Sequence, residues 1–422
     1  MTAVPRGHYG SSMSMGAARV ERRKLSARYR VVDADGHVLE PPTGLWERAP
    51  AEFKDRMWRV VRDEQGCEWK IFDGERTPAA ALAFAGTAGM SRTDQDRARR
   101  GELRYTEVRP AAFNPAPRIP DLDEDGIDQT VLYPTTLLGV PALTDHSFAQ
   151  AVCRAYNEWL AEYCRYAPQR QFGVAVIPHQ NIELAFDEIR HARDLVLVGI
   201  FMRPNPSIGE RKFDDPVYEP IWRAAEELGL PIGLHPYLLP DMPGACRYFG
   251  FGDTRGAREL QGQPVVPGRD FRNVFFTQAI SNPFDMMATL TYLVCGGVLE
   301  RHPRLKVLLL EANGGWIVPW LERLDHHYKI FYADVPQMRM KPSEYFRRQC
   351  WISFDPDETT LAMTANSPLV GAERIIWASD YPHPDAKFPG VTEELAEALE
   401  PLNFEQQKVI TSESALALYD IG

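Results

Sequence analysis

No stretch of the 422 residues reaches the roughly 18 consecutive apolar side chains that span a bilayer, so a membrane protein is not expected. Cysteine is scarce. The six, Cys67, Cys153, Cys164, Cys246, Cys295 and Cys350, contain no C-x-x-C pair, which excludes an encoded zinc ribbon and leaves no disulfide framework to read. Cys153 and Cys164 fall on the apolar stripe of an expected helix and read as buried thiols. Basic residues are outnumbered, 47 Lys and Arg against 58 Asp and Glu, and the net charge of −11 argues against a general binder of nucleic-acid backbones. No G-x-G-x-x-G or G-x-x-x-x-G-K-[ST] follows a strand, and no G-x-S-x-G nucleophile elbow occurs. The first thirty residues lack a continuous apolar segment, so a secretory signal is not expected. Residues 1–29 read as a flexible N-terminal arm and the protein as cytoplasmic. What remains, with 44% hydrophobic and 11% aromatic residues, is ordinary globular composition.

Eight short, β-branched runs recur along residues 30–422: Tyr29–Ala34, Ile127–Tyr133, Phe172–Ile177, Val196–Met202, Pro231–His235, Lys306–Glu311, Trp351–Asp355 and Ile375–Asp380. Several are almost continuously apolar, as parallel strands buried on both faces should be. Between them apolar residues recur at helical spacing, for example Phe148, Val152, Tyr156, Trp159, Leu160 and Tyr163. Gly229 is placed to stop one helix just before the fifth run. Eight strands alternating with helices predict an α/β fold, a (β/α)8 TIM barrel. Two long insertions, residues 42–120 after strand one and 238–275 after strand five, leave from the carboxyl ends of strands and are placed to become lids or pocket walls.

Polar residues cluster at those same carboxyl ends. The first strand carries Asp33-Ala34-Asp35-Gly36-His37, the fifth ends in His235, the sixth in Glu311, and the eighth leads into Ser379-Asp380-Tyr381-Pro382-His383. A buried Asp or His directly after an apolar run is expensive unless it is paired or ligated, and several at equivalent strand ends point to a metal site on the catalytic rim of a barrel.

Asp-x-Asp-x-His, the strand-five histidine and Trp-x-Ser-Asp-Tyr-Pro-His together resemble the amidohydrolase superfamily, within it the branch of aminocarboxymuconate-semialdehyde and γ-resorcylate decarboxylases. The resemblance implies that Asp35 and His37 replace the usual His-x-His pair, that His235 is the strand-five ligand, and that Asp380 both holds metal and handles protons. It also implies a histidine at strand six, where this chain has Glu311. That departure weighs against decarboxylation, because a carboxylate is a poor proton donor at neutral pH unless desolvated, although it adds a hard oxygen ligand.

Asp35, His37, His235, Glu311 and Asp380 form a mixed oxygen and nitrogen set suited to a divalent transition metal, Zn, Fe or Mn. One ion is expected. Three carboxylates leave room for a second, with His179 beyond strand three as the additional ligand. Arg203, ending strand four, could clamp a substrate carboxylate, and Trp316 could wall the pocket. His383 could orient Asp380 or act with it as an acid–base partner. Asp355 reads as a helix cap, and His302 and the pair His326-His327 as structural.

The reaction expected first is metal-dependent hydrolysis: water activated on an amide, ester or thioester of a small carboxylic acid, with Asp380 as base. The alternative, implied by the resemblance, is non-oxidative decarboxylation or hydration of an aromatic-derived carboxylate. A catalytically silent ligand-binding barrel is a third reading. The expected partners are a small-molecule substrate and a second copy of the chain in a homodimer, with no nucleic acid and no membrane.

Overall fold

The structure is a computed structural model that describes residues 25–237, 241–250 and 274–422. Most of the expected N-terminal arm therefore lies outside the described residues, as do Gly252, Gly256, Gly262 and Gly268 of the second insertion. Eleven strands are described: β1 (Val32–His37), β2 (Arg59–Arg62), β3 (Glu68–Phe72), β4 (Glu75–Pro78), β5 (Gln129–Tyr133), β6 (Gln171–Val176), β7 (Gly199–Met202), β8 (Ile232–Leu234), β9 (Val307–Leu309), β10 (Cys350–Phe354) and β11 (Ile375–Trp377). Eight of them pair in parallel in the order β1-β5-β6-β7-β8-β9-β10-β11, with helices between them. This is the (β/α)8 barrel. Every residue of its strands is buried except half-buried Phe172, which is why those segments read as unbroken apolar runs.

Gly229 closes the helix Glu219–Leu228 in the left-handed region (φ +67°), its N–H reaching back to the carbonyls of Ala225 and Glu226. Gly233 in β8 is needed for a different reason. A Cβ there would come within 2.2 Å of the Tyr133 hydroxyl, which crosses the barrel interior. Tyr133 in turn lies 2.9 Å from the Tyr419 hydroxyl, and Tyr419 donates to the Ala34 carbonyl, so the last helix (Ser414–Tyr419) is tied to the first strand.

The two ends of the ring meet through Asp33. Its carboxylate accepts from the Ser379 N–H (2.9 Å), the Ser379 hydroxyl (2.8 Å) and the Thr130 hydroxyl (2.7 Å), joining the residues after β11 to β1 and β5. Two backbone bonds continue the seam: Asp380 N–H to Asp35 O (3.1 Å) and His37 N–H to Tyr381 O (2.8 Å).

The stretch 42–120 contains the antiparallel sheet β2-β3-β4, which the sequence reading did not resolve. Trp58 anchors it, fully buried, its indole donating to Pro41 O and its ring edge-on to Phe72 and Tyr105. The same stretch reaches the rim: Ala88 N–H donates to Pro382 O, and Ala88 and Ala111 pack with Tyr381 and Phe388.

Candidate metal centre

Asp35 and His37 stand at the end of β1, and His235 directly follows β8. Each is buried. The His37 Nδ1–H donates to Pro134 O (2.9 Å) and the His235 Nδ1–H to Pro236 O (2.8 Å), so in both neutral rings Nε2 carries a lone pair. Those two nitrogens face each other at 3.2 Å. Asp35 Oδ1 lies 3.6 Å from one and 3.9 Å from the other, buried and without a hydrogen-bond partner. Two lone pairs and an orphaned carboxylate oxygen repel one another unless a cation sits among them. Donors about 2.1 Å from one ion stand roughly 3.0–3.4 Å apart, so the 3.2 Å imidazole pair fits a shared divalent metal and Asp35 Oδ1 lies just outside that spacing. Burial, reinforced by the charges of Glu311, Asp33 and Asp355, pushes Asp35 well above the usual carboxylate range. Burial also drops the His235 imidazole to about 3 and holds His37 well below its ordinary value, which keeps both rings neutral as ligands must be.

Asp380 approaches from the other side of the seam. Its Oδ1 lies 3.3 Å from His37 Nε2 and 2.6 Å from His383 Nδ1. His37, Asp380 and His383 thus form a second group able to hold an ion, sharing His37 with the first. The His383 ring lies against His37, centroids 4.2 Å apart, and its Nε2 is 3.0 Å from the Thr135 hydroxyl. Thr135 gives its own proton to Val38 O, so the His383 Nε2–H is the donor in that contact. Burial raises Asp380 and lowers His383, favouring a neutral acid–imidazole pair. Glu311 follows β9 with φ +45°, and its Oε2 lies 3.3 Å from His235 Nδ1 rather than among the Nε2 atoms. Gln278 donates to Oε1, yet burial still pushes the Glu311 carboxyl up to about 8.

Three buried groups brace this arrangement, and the sequence reading gave none of them a site role. Arg118, on the helix Pro115–Asp125, donates to His37 O (2.9 Å) and Tyr381 O (3.3 Å) and covers the Tyr381 ring. Glu40 accepts from the N–H groups of Thr135, Thr136 and Leu137, fixing the loop that carries Thr135. Asp33 is saturated by the barrel seam. A register shift in β1 between Asp33 and Gly36 separates its environment from that of Asp35. Arg118 had no local signal, because a lone arginine inside an insertion carries no pattern.

Other expected residues sit elsewhere. His179 is not brought into the cluster: its Nε2 accepts the Arg203 N–H and its Nδ1–H donates to Ser207, so neither nitrogen faces the cation position. Arg203 is buried, its Nη1 2.8 Å from Asp241 Oδ1 and its guanidinium 5.5 Å from the Tyr237 ring centre. Trp316 is half-buried, with its indole donating to Ala312 O. Asp355 accepts from Asn313, and burial raises it to about 7. His302 bridges Glu219 and Glu226, far around the barrel.

A profile of the amidohydrolase family matches residues 32–421. The chain is 25% identical over 274 residues to γ-resorcylate decarboxylase of a Rhizobium species, covering 63% of this chain and 76% of that protein. It is 25% identical over 285 residues to 2-amino-3-carboxymuconate-6-semialdehyde decarboxylase of Dictyostelium discoideum, covering 66% of this chain and 70% of that one. Among solved structures, dihydroxybenzoic acid decarboxylase of a Polaromonas species, with bound manganese and 2-nitroresorcinol, superposes with a TM-score of 0.62 at 20% identity, covering 93% of this chain and 97% of that chain.

These relatives overturn the expected hydrolase. The physical source of the error is plain: carboxylates and imidazoles around a cation polarise a bound acid as readily as they activate a water, so ligand types alone do not choose the reaction. The objection drawn from Glu311 also falls, because the side chain is desolvated. Among the described residues no helix is long and apolar enough to cross a membrane.

Proposed function

The chain belongs to the amidohydrolase family, and from that premise we propose that it is a metal-dependent, non-oxidative decarboxylase of an aromatic or aromatic-derived carboxylic acid. The convergence of Asp35, His37 and His235 on one cation-sized gap at the rim of a barrel, with Asp380 and His383 joined to it through His37, supports the metal centre, and the decarboxylases among the relatives support the reaction. Asp35, His37 and His235 would hold one divalent ion, with Asp380 beside it through His37. The manganese of the Polaromonas decarboxylase supports manganese as the first candidate. When bound, the ion supplies positive charge that fixes the acidic substrate and stabilises charge developing on it.

The chain's own groups do the rest. The bond between the ring carbon and the carboxylate breaks, carbon dioxide leaves, and the electron pair stays on that carbon until a proton arrives. Asp380 and His383 share one proton across 2.6 Å and would deliver it. Thr135 fixes which His383 nitrogen faces Asp380. Glu311, held as an acid by burial, stands beside His235 as a second acid at the mouth. Trp316 is fixed on the turn after Glu311 and would wall the pocket.

The test is carbon dioxide release from a panel of hydroxy- and dihydroxybenzoic acids by manganese-loaded protein, run beside nitrophenyl esters and acyl thioesters. Release of carbon dioxide without ester turnover is expected. Fully loaded protein that returns every acid unchanged would refute the proposal.

A further inference from the structure

The metal centre accounts for one acidic group of a substrate. A second seat lies on the neighbouring strand. Met202 of β7 stands opposite Leu234 of β8, and the His235 N–H donates to Met202 O (3.0 Å). The Phe201 ring meets the His235 ring edge-on, centroids 6.5 Å apart, so Phe201 points toward the barrel interior. Side chains alternate along a strand, which directs Arg203 to the same side as Phe201 and one layer nearer the rim. Its backbone N–H is bound to His179 Nε2, its guanidinium lies over Tyr237, and its Nη1 meets Asp241 Oδ1 at 2.8 Å.

The charge balance around it matters. Carboxyl groups crowd the rim around Asp35, Glu311 and Asp380, so a second anionic group of a substrate needs a cation to receive it. Two arginines nearby are otherwise engaged: Arg118 holds the His37 and Tyr381 carbonyls, and Arg109 holds Asp121. Arg203 differs. Its carboxylate partner, Asp241, is a quarter exposed and lies on the segment following β8. That partner belongs to the chemical class a substrate would bring, so exchanging one carboxylate for another leaves the charge count unchanged.

Resting on the decarboxylase reading, we infer that Arg203 seats a second anionic group of the substrate, remote from the carboxylate that is lost, and that Asp241 occupies this guanidinium as an internal competitor. The substrate class is thereby narrowed to aromatic acids bearing two acidic groups. His179, bound to the Arg203 backbone and to Ser207, acts as the post that fixes the seat.

Calorimetric titration tests this without relying on turnover. The probes are benzoate, phthalate, isophthalate and terephthalate, added to the manganese-loaded full chain and to Arg203→Gln and Asp241→Asn. At least one dicarboxylate should bind about tenfold or more tighter than benzoate, a difference of ~1.4 kcal/mol. R203Q should erase that preference while leaving benzoate affinity within about twofold, and D241N should strengthen the dicarboxylate several-fold. Equal affinity for mono- and dicarboxylates in the wild-type chain overturns the inference. So does equal weakening of both classes by R203Q, or weaker dicarboxylate binding by D241N, since the ion pair is then purely structural. Should R203Q melt early, the D241N titration decides alone. An intact preference in a protein that releases no carbon dioxide leaves the seat standing and refutes only the reaction.

Discussion

Replacing Asp35 by Asn should change the sign of its effect on stability when metal is added. In chelator, wild-type Asp35 is a buried carboxylate whose Oδ1 has no hydrogen bond and which faces two imidazole lone pairs at 3.6 and 3.9 Å. A buried polar group left unsatisfied costs ~1–3 kcal/mol, and an amide N–H₂ in its place would offer donors to those lone pairs, so D35N should be more stable than wild type by about 1 kcal/mol. With manganese at a hundred times its dissociation constant, wild type should gain ~2.7 kcal/mol from binding alone. D35N loses a ligand and should gain less than about 1 kcal/mol under the same conditions, by the same linkage.

At ~2.1 cal/mol/K per residue, the unfolding entropy of a 422-residue chain makes 1 kcal/mol worth roughly 1 °C, so the wild-type gain should appear as about 3 °C in a calorimetric scan. The two proteins should therefore cross: D35N melts higher in chelator and wild type melts higher in manganese. The pH dependence has a definite sign. The folded-state pKa of Asp35 is raised above its ordinary 3.8, so ionising it opposes folding. In chelator the D35N advantage should be absent below that value and open as pH rises from it toward the folded-state value. If D35N is destabilised equally with and without metal, Asp35 is a structural residue and the metal-centre argument fails.

Glu311→Gln should keep its bond to Gln278 and its full metal content while turnover falls by about a hundredfold, in the range for losing a general acid; metal analysis beside a carbon dioxide assay checks both. Arg118→Met should strip two carbonyls of their donor and lower metal affinity ~10- to 100-fold, as removal of outer-shell partners does, read by competition with a fluorescent chelator. Gly233→Ala places a methyl 2.2 Å from the Tyr133 hydroxyl and should destabilise by roughly 1–3 kcal/mol; combining it with Tyr133→Phe should recover part of that loss in urea melts.

The barrel was legible because parallel strands buried on both faces leave runs with little else in them. All eight runs became strands, although several end earlier than read. Glu311, Asp355 and Asp380 lie past the last ladder residue, turning toward the rim instead of continuing the sheet. The spacing of Asp35, His37, His235 and Asp380 was also legible, since each follows or ends an apolar run. Other features left no such trace. The sheet β2-β3-β4 is half-exposed and rich in charge, so alternation is blurred by Arg59, Glu68, Lys70 and Arg76. His179 looked like a ligand because it lies just beyond a strand, but the ring is consumed by Ser207 and by a neighbouring backbone N–H, partners that no local pattern announces. Choosing between hydrolysis and decarboxylation took the relatives, because the same carboxylates and imidazoles serve either reaction.

The seam where the last strand meets the first is built from the residues that present the proposed metal ligands. Asp380 is bonded through its own N–H to the carbonyl of Asp35, and His37 through its N–H to Tyr381. Local breathing of the barrel at that junction therefore pulls ligands from opposite sides of the gap apart in a single motion. Amide hydrogen exchange at His37 and Asp380 should slow when the ion binds, and the rate of metal loss should track the opening of this one joint rather than global unfolding. A circular permutant cut elsewhere around the ring would preserve the ion's residence time, whereas one cut between Asp380 and Val391 would leave the joint but free the loop bearing His383.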